Sequence, residues 1–275
     1  MTHLPIVREA MFGTFRNWQL WLVQFVANPI LFLVFAGWLL LPVSNNWYVF
    51  LNGLVAVLVV ASVIALHGGT LNLLYDKSRG ESVSITISSL RALRHAAAIL
   101  VCAIVLLYLW KLVDAAGEYN EVVAAYFRST LPVFLRRNIS LAFLEGAFEW
   151  ISFILRWIVV PGLILPDVLQ AAHLGFRGFG KEGFSIWRKT VWSLPYWIVM
   201  ALAALLGVLA TQKIMAMTPD LRHSTIHTET ASLIFRMFIS YVLALLAWMM
   251  TCSVVGHFGG RLGGAHGDVA GNPAD

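Results

Sequence analysis

The sequence predicts an all-α fold, a polytopic membrane bundle of about six transmembrane helices with both termini cytoplasmic, and three observations carry that reading. The 275 residues are 59% hydrophobic and 12% charged, with mean hydropathy +0.78. An ordinary soluble domain carries roughly 25% charged residues, so a soluble fold has too little polar surface to cover this much apolar area. Long apolar runs recur along the chain, each reaching the roughly 20 residues that a helix needs to cross the hydrocarbon core. Trp18 and Trp21, Trp38 and Trp47, Trp110, and Trp187 and Trp192 fall near the ends of those runs, where an aromatic belt meets the interface.

Taken in order, Pro5 to Phe15 set Ile6, Met11, Phe12 and Phe15 at helical spacing beside Arg8 and Arg16, which predicts a short helix lying in the interface. Basic residues ahead of an apolar run share the layout of a signal peptide. The run from Trp18 to Leu41 is longer than the roughly 7 to 15 residues of a signal core and lacks a small-x-small cleavage site, so it is expected to remain as the first span. No Asp, Glu, Lys or Arg occurs between Asn17 and Tyr75, and the turn Pro42-Val43-Ser44-Asn45-Asn46 divides that stretch into spans 18–41 and 47–74. Spans 93–113, 141–165, 191–212 and 234–258 follow, giving a single transmembrane domain over residues 1–258. Glu118 to Arg137 predicts a second interfacial helix, with Val122, Ala125, Tyr126 and Phe127 on one side until Pro132 interrupts it. Residues 259–275 are Gly-rich without an apolar face and are expected to form a disordered tail.

Basic residues near the span ends set the orientation. Arg8, Arg16, Lys77, Arg79, Arg91, Arg94, Arg177, Lys181, Arg188, Lys189 and Arg261 collect on one side. Lys111, Arg128, Arg136, Arg137, Lys213, Arg222 and Arg236 collect on the other, and the bias places both termini inside. Topology accounts for the net charge of +5, so no nucleic-acid partner is implied. The inner loops Asp76 to Arg94 and Asp167 to Lys189 each carry a Ser-Ile pair, Ser84-Ile85 and Ser185-Ile186, the trace of a faint internal repeat.

The fourth span holds the main candidate site. Glu145, Glu149, Ser152 and Arg156 are separated by four, three and four residues and share one helical face. Ionisable groups at membrane depth are costly and turn toward the bundle interior, so Arg156, near the midplane, is expected to lean toward Glu149 and Ser152 and to be held by Glu149 or by carbonyls of a neighbouring helix. The pair is either a structural ion pair, part of a polar pathway for a proton or cation, or a site for an anionic lipid or substrate. Two candidate helix breaks are Asn28-Pro29 in the first span and Pro161-Gly162, with Pro166, in the fourth. Such breaks are either kinks satisfied by neighbouring groups or the interrupted helices of a binding site.

Weaker signals read more plainly. His67-Gly68-Gly69-Thr70 is a fraying helix end, because no G-x-S-x-G elbow accompanies it. His223 and His227 belong to a solvated outer loop, since two ligands make a poor metal signal. His257 and His266 sit near the tail, and Asn138-Ile139-Ser140 is a formal sequon at the membrane edge. Cys102 and Cys252 lie in apolar stretches and imply neither a disulfide nor a metal site. No Walker loop or dinucleotide fingerprint occurs, and no cofactor is expected.

The segment Ser82 to Arg94, the run Arg156 to Pro166, Leu174-Gly175-Phe176 and Trp187-Arg188-Lys189 give the chain a layout that resembles the six-helix membrane domain that bacteria use alone or fused to glycerophosphodiester phosphodiesterases. It also resembles uncharacterised bacterial membrane families of similar plan. The phosphodiesterase domain is not part of this sequence, so that activity does not carry over. The resemblance implies a multi-pass protein of the bacterial cytoplasmic (inner) membrane without an assigned reaction. The expected role is non-enzymatic, either an accessory or scaffold bundle with a membrane-protein partner or a small permease in the lipid bilayer. The alternative is a lipid-handling enzyme with a polar site near the fourth span.

Overall fold

The computed structural model describes residues 4–42, 44–217 and 226–267. Among them no strand occurs, and six helices are long and apolar enough to cross a membrane: Trp18–Leu39, Asn46–Ser78, Ala96–Gly117, Leu141–Phe179, Leu194–Ala216 and His227–Gly263. These are spans one to six. The expected starts hold to within a few residues except in span six, and most helices run further than hydropathy alone marks. Hydropathy finds the stretch that lipid requires, whereas the backbone stays helical for as long as packing partners support it. Side chains fix several starts. Asn45 accepts a bond from Tyr48 N at 3.0 Å and Ser140 one from Phe143 N at 3.1 Å, each satisfying a donor at a helix N-terminus.

The core sits at the basic end of the bundle. The apolar window of span six is 44% buried, against 11% for span one, and every residue from Thr251 to Gly260 is buried. The expected disordered tail is corrected here: the last helix continues unbroken to Gly267, and only residues 268–275 lie outside the described residues. Gly256, Gly259, Gly260 and Gly263 recur three and four residues apart and form a face without side chains, which lets Leu74, Tyr75 and Ser78 of span two and Leu169 of span four approach. A Cβ on Gly256 would lie 2.7 Å from that of Leu74, and one on Gly260 2.7 Å from the Tyr75 carbonyl.

The N-terminal helix Leu4–Phe15 forms as expected but docks on span six as well as facing outward. Thr14 Oγ1 donates to Ser253 Oγ at 2.6 Å, Ser253 Oγ donates to the Ala10 carbonyl at 2.7 Å, and Glu9 pairs with Arg261. Phe12 and Phe15 stay exposed, leaving an apolar edge for the interface. At the other end, the predicted interfacial segment splits at Pro132 into helices Asn120–Thr130 and Val133–Asn138, with Val122, Tyr126 and Phe127 exposed. Spans two and four share one order of elements. Each holds a π-helical turn, Ile64–Gly68 and Leu155–Val159, then leads to a short amphipathic linker helix, Ile85–Arg94 and Lys181–Val191, ahead of the next span.

Candidate functional site at the two ends of the fourth span

The predicted polar face is only partly assembled. Arg156 Nη1 pairs with Asp114 Oδ1 at 2.7 Å instead of with Glu149, which is exposed, and Glu145 is half-buried. Neither glutamate makes an ion pair among the described residues. Two features redirect the arginine. Span three runs on to Gly117, past the expected end at Val113, so Asp114 lies within it; and Arg156 sits in a π-turn, which rotates it off the regular face. Its guanidinium also lies 5.1 Å from the Trp157 ring. Ser152 Oγ accepts a bond from Asn120 Nδ2 at 3.0 Å. Asp114, Glu118, Ser152 and Arg156 line an open cavity of about 620 Å³ between the C-terminal end of span three and the π-turn of span four. With side chains 39% and 46% exposed, the Arg156–Asp114 pair contributes no more than about 1 kcal/mol to stability.

The candidate helix breaks are kinks whose released carbonyls are taken by aromatic donors. Pro29 removes the N–H that would reach the Phe25 carbonyl, and Tyr241 Oη of span six donates to that carbonyl at 2.8 Å. Asn28 Nδ2 donates to the Gln24 carbonyl and to Gln24 Oε1, both at 2.8 Å, while Gln24 Nε2 reaches Thr70 Oγ1 at 2.6 Å and ties span one to span two. In span four, Pro166 frees the Gly162 carbonyl, which accepts from Tyr196 Oη at 2.7 Å. Pro161 follows the π-turn and frees the Arg156 carbonyl, which accepts from Trp110 Nε1 at 2.7 Å. Gly162 also leaves room for Trp197, whose ring lies where a Cβ would stand. If Tyr241 serves the proline, Tyr241→Phe is expected to cost about 0.6 kcal/mol with Pro29 in place and almost nothing in a Pro29→Ala background, read from denaturation in detergent.

A second polar cluster, at the basic end, went unread because its charges were assigned to topology. Asp76 is fully buried, and Arg91 Nη1 lies 3.0 Å from each of its carboxylate oxygens. His173 Nδ1 lies 3.3 Å from the same Nη1 and 3.9 Å from Asp76 Oδ1. The Tyr75 ring is covered on two sides, by His173 at 4.3 Å between centroids and by Arg79 at 5.9 Å. Asn72 Nδ2 donates to the Ala172 carbonyl at 3.0 Å and closes the contact between spans two and four. Beside this cluster a cavity of about 350 Å³ is lined by Tyr75, Arg79, Gln170, His173, Glu182 and Ser185, with Leu174, Ile186 and Leu262 as its apolar wall. Gln170 is 1% exposed, and neither its Oε1 nor its Nε2 has a partner. The available signal was Gln170 and His173, three residues apart on one face near the end of an apolar helix.

His67 and His257 are packed into the bundle. His67 is not at a frayed end: span two continues to Ser78, and the His67 ring meets Trp248 edge to face at 4.9 Å. His257 is buried, with Nδ1 2.9 Å from the Ser253 carbonyl. His223 lies outside the described residues, among which no group of three His, Cys, Asp or Glu is placed to hold a metal. The six apolar helices and their interfacial segments define a multi-pass integral membrane protein. No family model, curated protein or solved structure matches the chain.

Proposed function

We propose that the chain is a small permease-like protein of the bacterial cytoplasmic membrane, with its basic end and both termini in the cytoplasm. The carrying observation is that span four lines two polar cavities, one at its π-turn and one near its C-terminal end, separated by a packed stretch. The outer cavity contains Ser152 and Arg156, the inner one Gln170 and His173. Between them Val160, Leu165 and Leu169 are buried, and the continuous helix carries a π-turn, Pro161 and Pro166. Two vestibules along one helix suit a pathway, since charges at depth are tolerated where they line water-filled space.

A purely structural bundle fits less well, because its charged pair would be sealed in packing, whereas Asp114 and Arg156 face open space. A hydrolytic reading fits poorly too. His173 and Asp76 are 3.9 Å apart, beyond hydrogen-bond reach, and Arg91 already occupies the carboxylate. The excess of Lys and Arg at one end supports the orientation.

Thiol labelling tests this arrangement. With Cys102 and Cys252 buried, a membrane-impermeant maleimide applied to intact cells is expected to modify Ser152→Cys and spare Ser185→Cys, and to do the reverse in inside-out vesicles. Labelling of both positions from the same side would contradict the reading.

A further inference from the structure

We propose that the basic-end cavity binds a phosphate diester bearing a primary ammonium, the phosphoethanolamine group of a zwitterionic phospholipid. The inference rests on reading this cavity as a binding vestibule. Its lining is charged but balanced: Arg79 supplies a cation and Glu182 an anion, while Arg91 is already committed to the buried Asp76. Arg79 lies against Tyr75 and makes one loose ion pair, Nε to Glu81 at 3.6 Å with both side chains exposed, which leaves part of the guanidinium fork for a phosphate. Glu182 makes no ion pair among the described residues.

Gln170 adds the second observation. It holds a free donor and a free acceptor out of water, a costly state that a ligand presenting both an acceptor and an N–H would relieve. The same feature selects the kind of ammonium. A trimethylated headgroup has no N–H to give and needs an aromatic cage, but the cavity has one aromatic ring, Tyr75, already flanked by His173 and Arg79.

Depth selects a lipid. Arg79 directly follows span two, Leu262 and Gly263 end span six, and Glu182 and Ser185 belong to the amphipathic linker helix. Phe176, Phe179 and Phe184 are exposed beside this linker, as expected of elements seated at the headgroup–acyl boundary. A volume of about 350 Å³ falls within the roughly 300 to 1,000 Å³ of small-molecule sites.

The test is binding of dihexanoyl phosphatidylethanolamine to the full chain in detergent, read by native mass spectrometry and compared with the phosphatidylglycerol and phosphatidylcholine of equal chain length. The ethanolamine lipid is expected to bind at least about tenfold tighter than either, since each rival leaves Glu182 or Gln170 unanswered. Glu182→Gln, a change on an exposed surface position, is expected to abolish the preference over phosphatidylglycerol, and Gln170→Leu the preference over phosphatidylcholine. Competition by glycerophosphoethanolamine would assign the site to a water-soluble diester. Its failure to compete would assign the site to the lipid, and the shared chemistry stands in both cases. Equal binding of the three lipids, or a preference over phosphatidylglycerol that survives Glu182→Gln, would overturn the proposal. Binding requires no passage across the membrane, so it can succeed where the permease reading fails and fail where that reading holds.

Discussion

Asp76→Ala is expected to destabilise the protein by about 3 kcal/mol, measured by denaturation in detergent, because it strands a buried guanidinium. The Asp76 side chain is 1% exposed and that of Arg91 29%, so the arginine recovers some hydration and the loss stays at the low end of the roughly 3 to 5 kcal/mol range for a broken buried pair. His173 cannot replace the carboxylate, since it offers Arg91 only a ring nitrogen at 3.3 Å. The double change Asp76→Leu with Arg91→Met is expected to recover most of the loss, because an apolar pair of similar volume carries no desolvation cost. If the single change is silent, the cluster does not hold spans two and four to the first linker helix.

Gly260→Leu is expected to cost about 3 kcal/mol or more and to detach the C-terminal helix from span two. The position faces Ser78 and the Tyr75 carbonyl, and a backbone atom cannot swing aside as a flexible side chain can. Gly37→Ala supplies the contrast. Nothing lies within 4 Å of its added Cβ, so the substitution is expected to be neutral or to stabilise by roughly 0.5 to 1 kcal/mol through backbone entropy alone. Equal effects at the two glycines would mean that the close face on span six does not form.

These two positions also mark the limit of what the sequence reveals. The number of spans, most of their starts, the N-terminal helix and the Asn120–Thr130 segment were legible because they follow from hydropathy and helical periodicity, which are local properties. Residues 259–267 were misread as disordered because glycine looks flexible until a partner surface gives its missing side chain a purpose, and that surface is about 180 residues away in span two. The Arg156 partner was misassigned for a related reason. The face counted from Glu145 to Arg156 assumes 3.6 residues per turn, and the π-turn breaks that count just where the arginine sits. Arg91 counts toward the positive-inside pattern and Asp76 only marks the start of a loop, since their pairing depends on a turn between two helices that periodicity does not describe.

The central claim is that span four connects two vestibules through a seal that opens alternately. Leu165→Cys, in the packed middle, tests it most directly by labelling with an impermeant maleimide over minutes to hours, first in intact cells and then in inside-out vesicles. A permease-like bundle is expected to expose this thiol slowly to both sides, while the vestibule positions label quickly and from one side only. Protection of Leu165→Cys from both sides at all times, with the vestibules labelling normally, would contradict the account and leave a static bundle with two closed pockets.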